Sequence, residues 1–372
     1  MSMTQHGNTV VMPSTPPTRS IGIIRRVRRN LFASPASTLI TALVVWLLLL
    51  AAPPLVEWLL IKATFKAPNA NVCRESGGAC WAFIAEKYRL ILFGPYPYDE
   101  QWRPLLATFL LIATIVCSGI KRFWSPKLLV AWTLCLTAVA ILMWGGILGL
   151  THVENVKWGG LPLTLILSTF GIAFAFPFGI LLALGRRSRM PAIKAMCVGY
   201  IELIRGVPLI SLLFMSSVML PLFLPEGMDI DKLLRAQIAI IMFAAAYIAE
   251  IVRGGLQAIP KGQYEGAESL GLNYWQQMHK VILPQALKIV IPPLVSTFIA
   301  LFKDTSLVVI IGIFDLTQAA KAALADPAWS GFGVEAYIFI GLIYFCFCYS
   351  ISRYSQRLER ELTREHKAST AS

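Results

Sequence analysis

Three pairs of opposite charge lie inside otherwise apolar sequence: Glu202 and Arg205 in "ELIRG", Glu250 and Arg253 in "EIVRG", and Lys303 and Asp304 in "FKDTSL". Residues three apart share one face of a helix, so each Glu can neutralise its own Arg. For Glu250 and Arg253, at the end of an apolar run, that structural pairing is the expected one. Glu202 and Arg205 fall well inside the run 195–224, where ionisable groups are costly and usually face a cavity or a partner. A guanidinium matches carboxylate geometry, and Asp304 with Thr305 and Ser306 offers acceptors for an ammonium group. Self-neutralised pairs and ligand contacts therefore stand as two readings of these residues.

Other chemistry has no signature. The four histidines (His6, His152, His279, His366) are scattered, and no GxxxxGK[ST], HExxH or paired CxxC string occurs. No catalytic site, metal site or cofactor is expected, and an enzyme is not. Of the seven cysteines, Cys117, Cys135, Cys197, Cys346 and Cys348 lie in apolar runs as small hydrophobes. Cys73 and Cys80 close the short loop "CRESGGAC" outside those runs, either as a disulfide or as two free thiols.

The elements that must carry these residues are membrane helices. The chain of 372 residues is 56% hydrophobic and 14% charged, too apolar for an ordinary soluble domain. A bilayer crossing needs roughly 20 apolar residues. Eight runs qualify, at 38–61, 104–120, 128–150, 159–184, 195–224, 234–252, 285–313 and 334–353. The formal charge of +13 is gathered in "RRVRRN" (25–30), "KRFWSPK" (121–127), "RRSRMPAIK" (186–194) and "RYSQRLERELTREHK" (353–367), each beside an apolar run. Alternation across eight spans puts these clusters on one side, which the positive-inside rule makes cytoplasmic. The clusters are not interleaved with stacking aromatics, so nucleic acid is not an expected partner; the lipid bilayer is. Residues 1–37 read as a cytoplasmic tail, 38–150 as a three-span region with an extracytoplasmic loop at 62–103, 151–355 as a second region, and 356–372 as a tail. Within 62–103, Trp81, Tyr88, Tyr96, Tyr98 and Trp102 suit interfacial anchors.

One polar segment interrupts this pattern. "EGAESLGLNYWQQMHKVILP" (265–284) starts as a helix and breaks at Gly271, a residue that tolerates left-handed turns. Asn273 is placed to cap a second amphipathic stretch, and Pro284 to start the next span. Tyr274 and Trp275 would lie bare in water without a protein partner. The string resembles the EAA loop of bacterial ABC importer permeases: Glu-Ala-Ala, three residues, Gly, nine residues, then Ile-x-Leu-Pro. Here it reads Glu265-Gly266-Ala267, Gly271, and Val281-Ile282-Leu283-Pro284, with Gly266 and Val281 as departures. "YIELIRGVPLISLLF" (200–214), "AAYIAEIVRGGLQAIPKGQYEGA" (245–267) and "LFKDTSLVVIIGIFDL" (301–316) look like the polar-amino-acid branch. The segment 73–104 is similar to that of the extended M-type permeases of general L-amino-acid transporters of Gram-negative bacteria.

The resemblance implies an all-α polytopic protein of the inner membrane with both termini cytoplasmic, and a type I importer permease core preceded by three extra spans. It implies a second, Q-type permease subunit, a cytoplasmic ATP-binding dimer, a periplasmic amino-acid-binding protein and L-amino-acid substrates. Glu265, Gly266, Ala267, Gly271, Leu283 and Pro284 would couple to the ATPase. Glu202, Arg205, Asp304, Thr305 and Ser306 would line the substrate path, Arg205 meeting the α-carboxylate. An ion-coupled secondary transporter would explain the membrane charges but not the hairpin, and a non-transporting scaffold would explain the hairpin alone.

Overall fold

A computed structural model describes residues 27, 30–225, 227 and 230–371. Arg25, Arg26, Arg28 and Arg29 of the basic run and most of the expected N-terminal tail lie outside the described residues. The regular structure of the described residues is helical, with isolated bridges Thr64–Cys80 and Gly160–Asp315 and no strand among them. Among the described residues seven helices are long and apolar enough to cross a membrane, or eight spans if one bent pair counts as a span. The chain divides into two units, Met1–Ala63 with Ser76–Ala79, and Thr64–Glu75 with Cys80–Ser372.

The first unit holds α1, Pro35–Ile61. Ser34 and Ser37 form a capping box at its start, with Pro35 at the first helical position, where its missing N–H is harmless. None of its side chains is buried. An all-round apolar helix of this kind is suited to a bilayer.

The second unit begins with two short helices, α2 (Ala70–Ser76, whose last residue joins the first unit) and α3 (Trp81–Phe93). The spans α4 (Trp102–Ser118) and α5 (Pro126–Trp144) follow. The run expected at 128–150 stops at Trp144, because Gly145 takes φ +68° and Gly146 φ +78°. A Cβ on Gly145 would fall 2.0 Å from the Thr151 carbonyl oxygen, so only glycine fits that turn. Apolar sequence alone could not separate this loop from a helix.

Then come α6 (Gly160–Arg186), α7 (Pro191–Gly206), α8 (Leu209–Phe223) and α9 (Lys232–Ala258). The single span expected at 195–224 is in fact α7 and α8, bent by 102°. Pro208 has no N–H, and the preceding Val207 is extended at φ −112°, ψ 133°, as a residue before proline must be. α6 and α9 pack closely through glycines. A Cβ on Gly179 would lie 2.7 Å from Ile248 Cγ2, and one on Gly255 of α9 would lie 2.8 Å from the Ala286 carbonyl oxygen. Small residues permit such approach where lipid leaves no hydrophobic drive between helices.

α10 (Lys261–Ser269) and α11 (Tyr274–Ile311) form the polar hairpin and the span after it. α12 (Leu316–Leu324) and the long α13 (Gly333–Ala371) complete the chain. The end of the unit that carries α3 and α12 is fastened by polar contacts. Cys73 and Cys80 are bonded as a disulfide, with Cα atoms 5.4 Å apart. The Cys80 N–H donates to the buried Glu335 carboxylate at 2.9 Å, Lys87 pairs with Asp326 at 2.6 Å, and Phe83 packs against Trp329 and Phe332. Tyr96, Tyr88, Tyr98 and Trp102 differ in exposure, from 2% for Tyr96 to 58% for Tyr98. Tyr96 is therefore a core residue whose hydroxyl donates to the Leu142 and Met143 carbonyls at 3.2 Å, not an interfacial anchor.

Asp315, fully buried, caps α12 by accepting from the Thr317 and Gln318 N–H groups at 3.0 and 2.9 Å. Burial outweighs those bonds and raises its pKa to about 6. A carboxyl held above its unfolded value of 3.8 favours folding when protonated, and that contribution is lost as pH rises through 6. Asp315→Asn keeps the cap without the charge. It should raise thermal stability at pH 7.5 by up to about 2 kcal/mol and have little effect near pH 4. Melting curves in detergent at the two pH values test this; equal shifts at both would assign the effect to something other than ionisation.

Candidate functional site

The hairpin is built around one left-handed residue. Gly271 has φ +72°, and its N–H donates to the Glu268 carbonyl at 2.9 Å. The Leu272 N–H reaches back to the Ala267 carbonyl at 3.4 Å. These two bonds satisfy carbonyls left over at the end of α10, in the manner of a glycine C-cap. Asn273 then opens α11 with a capping box, its side chain accepting from the Gln276 N–H while Gln276 accepts from the Asn273 N–H.

The second arm is not a separate helix ending at Pro284. From Tyr274–Gln277 the chain passes through a wide turn at Met278–Ile282 and continues as the helix Leu283–Asp304. The Leu283 N–H bonds to Met278, five residues back, and the widened turn accommodates a proline that can donate nothing. Pro284 therefore sits inside a continuous rod, with Leu283 half-buried beside it.

Side chains brace this hairpin against the membrane domain. Tyr264 donates to the Leu256 carbonyl at 3.0 Å, and Arg187 donates both to the Tyr264 hydroxyl at 3.0 Å and to the Leu256 carbonyl at 3.1 Å. Gln277 donates to the Tyr264 carbonyl at 2.7 Å, which ties the two arms together. Gln285 donates to Gln263 at 2.9 Å. Sequence reading missed Tyr264, Arg187 and Gln277. Their signal, a polar residue on the inner face of each arm, is visible only once the turn is known.

Of the motif residues, Ala267 is buried at 2% exposure, against the second arm, while Glu265 and Gly266 are exposed. The tip presents Leu270 at 78%, Trp275 at 65% and Tyr274 at 49% exposure, with Glu265 and Glu268 beside them. Gly266 departs from the alanine of the motif without structural need. A Cβ there would meet nothing within 4 Å, and the residue is helical. Gly266→Ala should stabilise α10 by about 0.5–1 kcal/mol and leave function intact. Loss of function with normal folding would show that a partner fills that space.

The charged residues form one network near the hairpin end. Glu250 accepts from Arg253 Nε at 2.8 Å and also pairs with the same guanidinium through its terminal nitrogen; Arg186 stands 3.3 Å and Arg205 4.0 Å from its other oxygen. Glu202, 56% exposed, pairs with Arg186 at 2.8 Å. The Glu250–Arg253 pairing is as expected, but Glu202 does not pair with Arg205. Both lie on α7 ahead of its break, Glu202 reaching the end of α6 and Arg205 lying near Glu250 and the Tyr247 ring, 5.6 Å away. Arg205 and Asp304 are not brought together. Leu301 and Gln237 both line Gly171, so Asp304 lies near the level of Gln237, about 15 Å along α9 from Tyr247. Thr305 is buried and donates to the Phe302 carbonyl at 2.7 Å, while Ser306 is half-buried.

A helical membrane unit with a broken span, ion pairs among its helices and a polar hairpin exposing an aromatic tip has the features of a transport subunit that docks a soluble partner. Residues 175–364 match the model of the family described as the binding-protein-dependent transport system inner membrane component. The chain is 51% identical over 340 residues to the inner membrane amino-acid ABC transporter permease protein YhdY of Escherichia coli (strain K12), covering 90% of this chain and 91% of that one. It is 39% identical over 433 aligned positions to the glutamate/glutamine/aspartate/asparagine transport system permease protein BztC of Rhodobacter capsulatus, covering 96% and 98%. A crystal structure of an amino acid ABC transporter is similar over 54% of this chain and 92% of its own, with 35% identity and a TM-score of 0.48. The chain belongs to the ABC transporter permease family of binding-protein-dependent inner membrane components. It is a multi-pass protein of the inner membrane, and membership implies ATP-binding subunits and a substrate-binding protein as partners.

Proposed function

We propose that this chain is one of two non-identical permease subunits of an ATP-driven importer of L-amino acids. The observation that carries the reading is the hairpin: a tight turn at Gly271 presents Leu270, Tyr274 and Trp275 at the end of the 38-residue apolar rod α11. In this reading Glu265, Ala267 and Gly271 shape the element that enters a cleft on the ATPase, with Gly266 exposed beside them. Leu283 and Pro284 carry the movement into the span. The chain itself has no ATP site, and the second subunit is of the Q type. Both termini and the hairpin face the cytoplasm, while residues 62–103 face the periplasm, where a disulfide between Cys73 and Cys80 would persist. The amino-acid substrate class is supported by what YhdY and BztC are named for.

Ion pairs at Arg186, Glu202, Arg205, Glu250 and Arg253 then lie near the cytoplasmic end of the spans and hold the bend between α7 and α8 against α9. In this reading Arg205 positions the broken span. Reconstitution tests the function. The permease pair, the ATPase and the binding protein are placed in vesicles and L-glutamine uptake is followed. Uptake that needs ATP on the hairpin side is the expected result. Uptake driven by an ion gradient without ATP would make the protein a secondary transporter, and no uptake with intact assembly would make it a scaffold.

A further inference from the structure

The last span, α13, carries an exposed stripe whose chemistry changes along its length. Gly341, Phe345, Tyr349, Arg353 and Arg357 follow one another at four-residue spacing, the spacing of one ridge on a helix surface. All five are exposed. The Phe345 and Tyr349 rings stack with centroids 5.6 Å apart, and the Arg353 guanidinium lies over the Tyr349 ring at 6.0 Å. Helical side chains lean toward the start of their helix. This cation accordingly points back along the span toward the rings, where a charge at a span end usually reaches away from hydrocarbon. A Cβ on Gly341 would meet nothing within 4 Å, so the glycine leaves a gap in the ridge next to Phe345.

A second element brings positive charge to the same end. Gly119 follows α4, and a Cβ there would fall 3.3 Å from the Tyr354 ring, so the loop between α4 and α5 runs against α13. At about 100° per residue Arg357 projects between Arg353 and Tyr354, which turns it toward that loop. The loop holds Arg122, exposed, followed by Phe123 and Trp124, also exposed. Trp124 Nε1 donates to the Ser118 carbonyl at 2.8 Å, so the polar atom of the indole is used inward and its apolar ring is left bare. Among the described residues Arg122, Arg353 and Arg357 pair with no carboxylate. The next acids along α13, Glu359 and Glu361, are engaged with other groups. Water can solvate three such cations, but it does not suit an apolar ridge that runs directly into one of them. A ligand with an anionic head and an apolar tail suits both.

We propose that this end of α13 is a binding site for an anionic phospholipid. The phosphodiester lies among Arg353, Arg357 and Arg122, and an acyl chain follows Tyr349 and Phe345 into the gap at Gly341. Charge selects the lipid, since phosphatidylglycerol is net negative and phosphatidylcholine is not. The bound lipid would bridge the α4–α5 loop to α13 and so fasten the N-terminal spans to the last one. In the orientation proposed above the site belongs to the cytoplasmic leaflet. It stands without the importer reading, because it uses only the membrane-spanning fold.

The test uses the full chain, purified in mild detergent with the subunits that accompany it. Dioleoyl-phosphatidylglycerol is the probe, and native mass spectrometry reads the lipid retained. The expected result is a bound phosphatidylglycerol that neither phosphatidylcholine nor inorganic phosphate displaces. Arg353→Gln combined with Arg357→Gln should weaken its retention at least ~10-fold. Arg353→Lys with Arg357→Lys keeps the charge and should restore most of it. Arg189→Gln with Lys194→Gln removes as much charge from another exposed basic cluster and should leave retention unchanged. Wild-type retention by the first pair would overturn the proposal, and so would an equal loss in the Arg189 and Lys194 pair, which would reduce the effect to surface charge at large. Displacement by inorganic phosphate would make this a free-anion site. A changed oligomeric state or subunit content in the first pair would give the stripe to a protein interface. A lysine pair that fails to bind and melts lower than the unmutated protein would assign the arginines to the fold. Each of these three results also overturns the lipid site.

Discussion

Gly271→Val should yield a protein that is inserted, assembled and unable to transport at more than about a tenth of the normal rate. The turn residue has φ +72°, where a side chain costs roughly 1–2 kcal/mol and a β-branched one more. A Cβ at Gly271 would meet nothing within 4 Å. The penalty is therefore in the backbone and not in collision, and the chain can relieve it only by opening the turn. Opening displaces Leu270, Tyr274 and Trp275, the surface offered to the ATPase. The spans lie outside the turn, so insertion and pairing are unaffected. Gly271→Asn is the control, since Asn tolerates the left-handed region, and it should keep most of the activity. Uptake, ATPase stimulation and co-purification measured on one preparation decide the matter. Wild-type uptake by the valine variant would remove the hairpin from its role in coupling.

Glu250→Ala should destabilise the membrane domain by about 1–2 kcal/mol, less than for a fully buried pair because the cluster is partly exposed. Its carboxylate is approached by three guanidiniums: Arg253 by hydrogen bond, Arg186 at 3.3 Å and Arg205 at 4.0 Å. Removal leaves these like charges facing one another beside the bend between α7 and α8. Glu202 pairs directly with Arg186 and is 56% exposed, so Glu202→Ala should cost no more than about 1 kcal/mol. Denaturation of the two variants in the same detergent gives the comparison. Equal small losses would mean that solvent screens the Glu250 cluster as effectively as the surface pair.

The fold was legible where one physical signal decided it. Long apolar runs identified the spans, and glycine with a capping asparagine located the hairpin turn within a residue. Legibility failed where apolarity and backbone chemistry disagree. Residues 145–150 are apolar yet form a loop, because Gly145 and Gly146 adopt positive φ. The run 195–224 is long enough for one span, yet Pro208 breaks it, and Glu202 pairs with Arg186 of the neighbouring helix instead of Arg205. Pro284 misled in the opposite sense: a local rule placed a helix start there, whereas a wide turn carries the helix through.

The unbroken course of α11 has a mechanical consequence. From Tyr274 to Asp304 it extends about 45 Å, so a tilt of about 5° at the hairpin moves the far end by roughly 4 Å if the rod stays stiff. Beyond the wide turn at Met278–Ile282 it contains one compliant point. Pro292 and Pro293 withhold two successive N–H groups, leaving the carbonyls of Lys288 and Ile289 without their helical donors. Flexure concentrates there, midway between the docking tip and Asp304. The stroke delivered to the far end is thus set by the bending resistance of two peptide units, and restoring a donor at Pro292 or Pro293 would lengthen that stroke without touching either end.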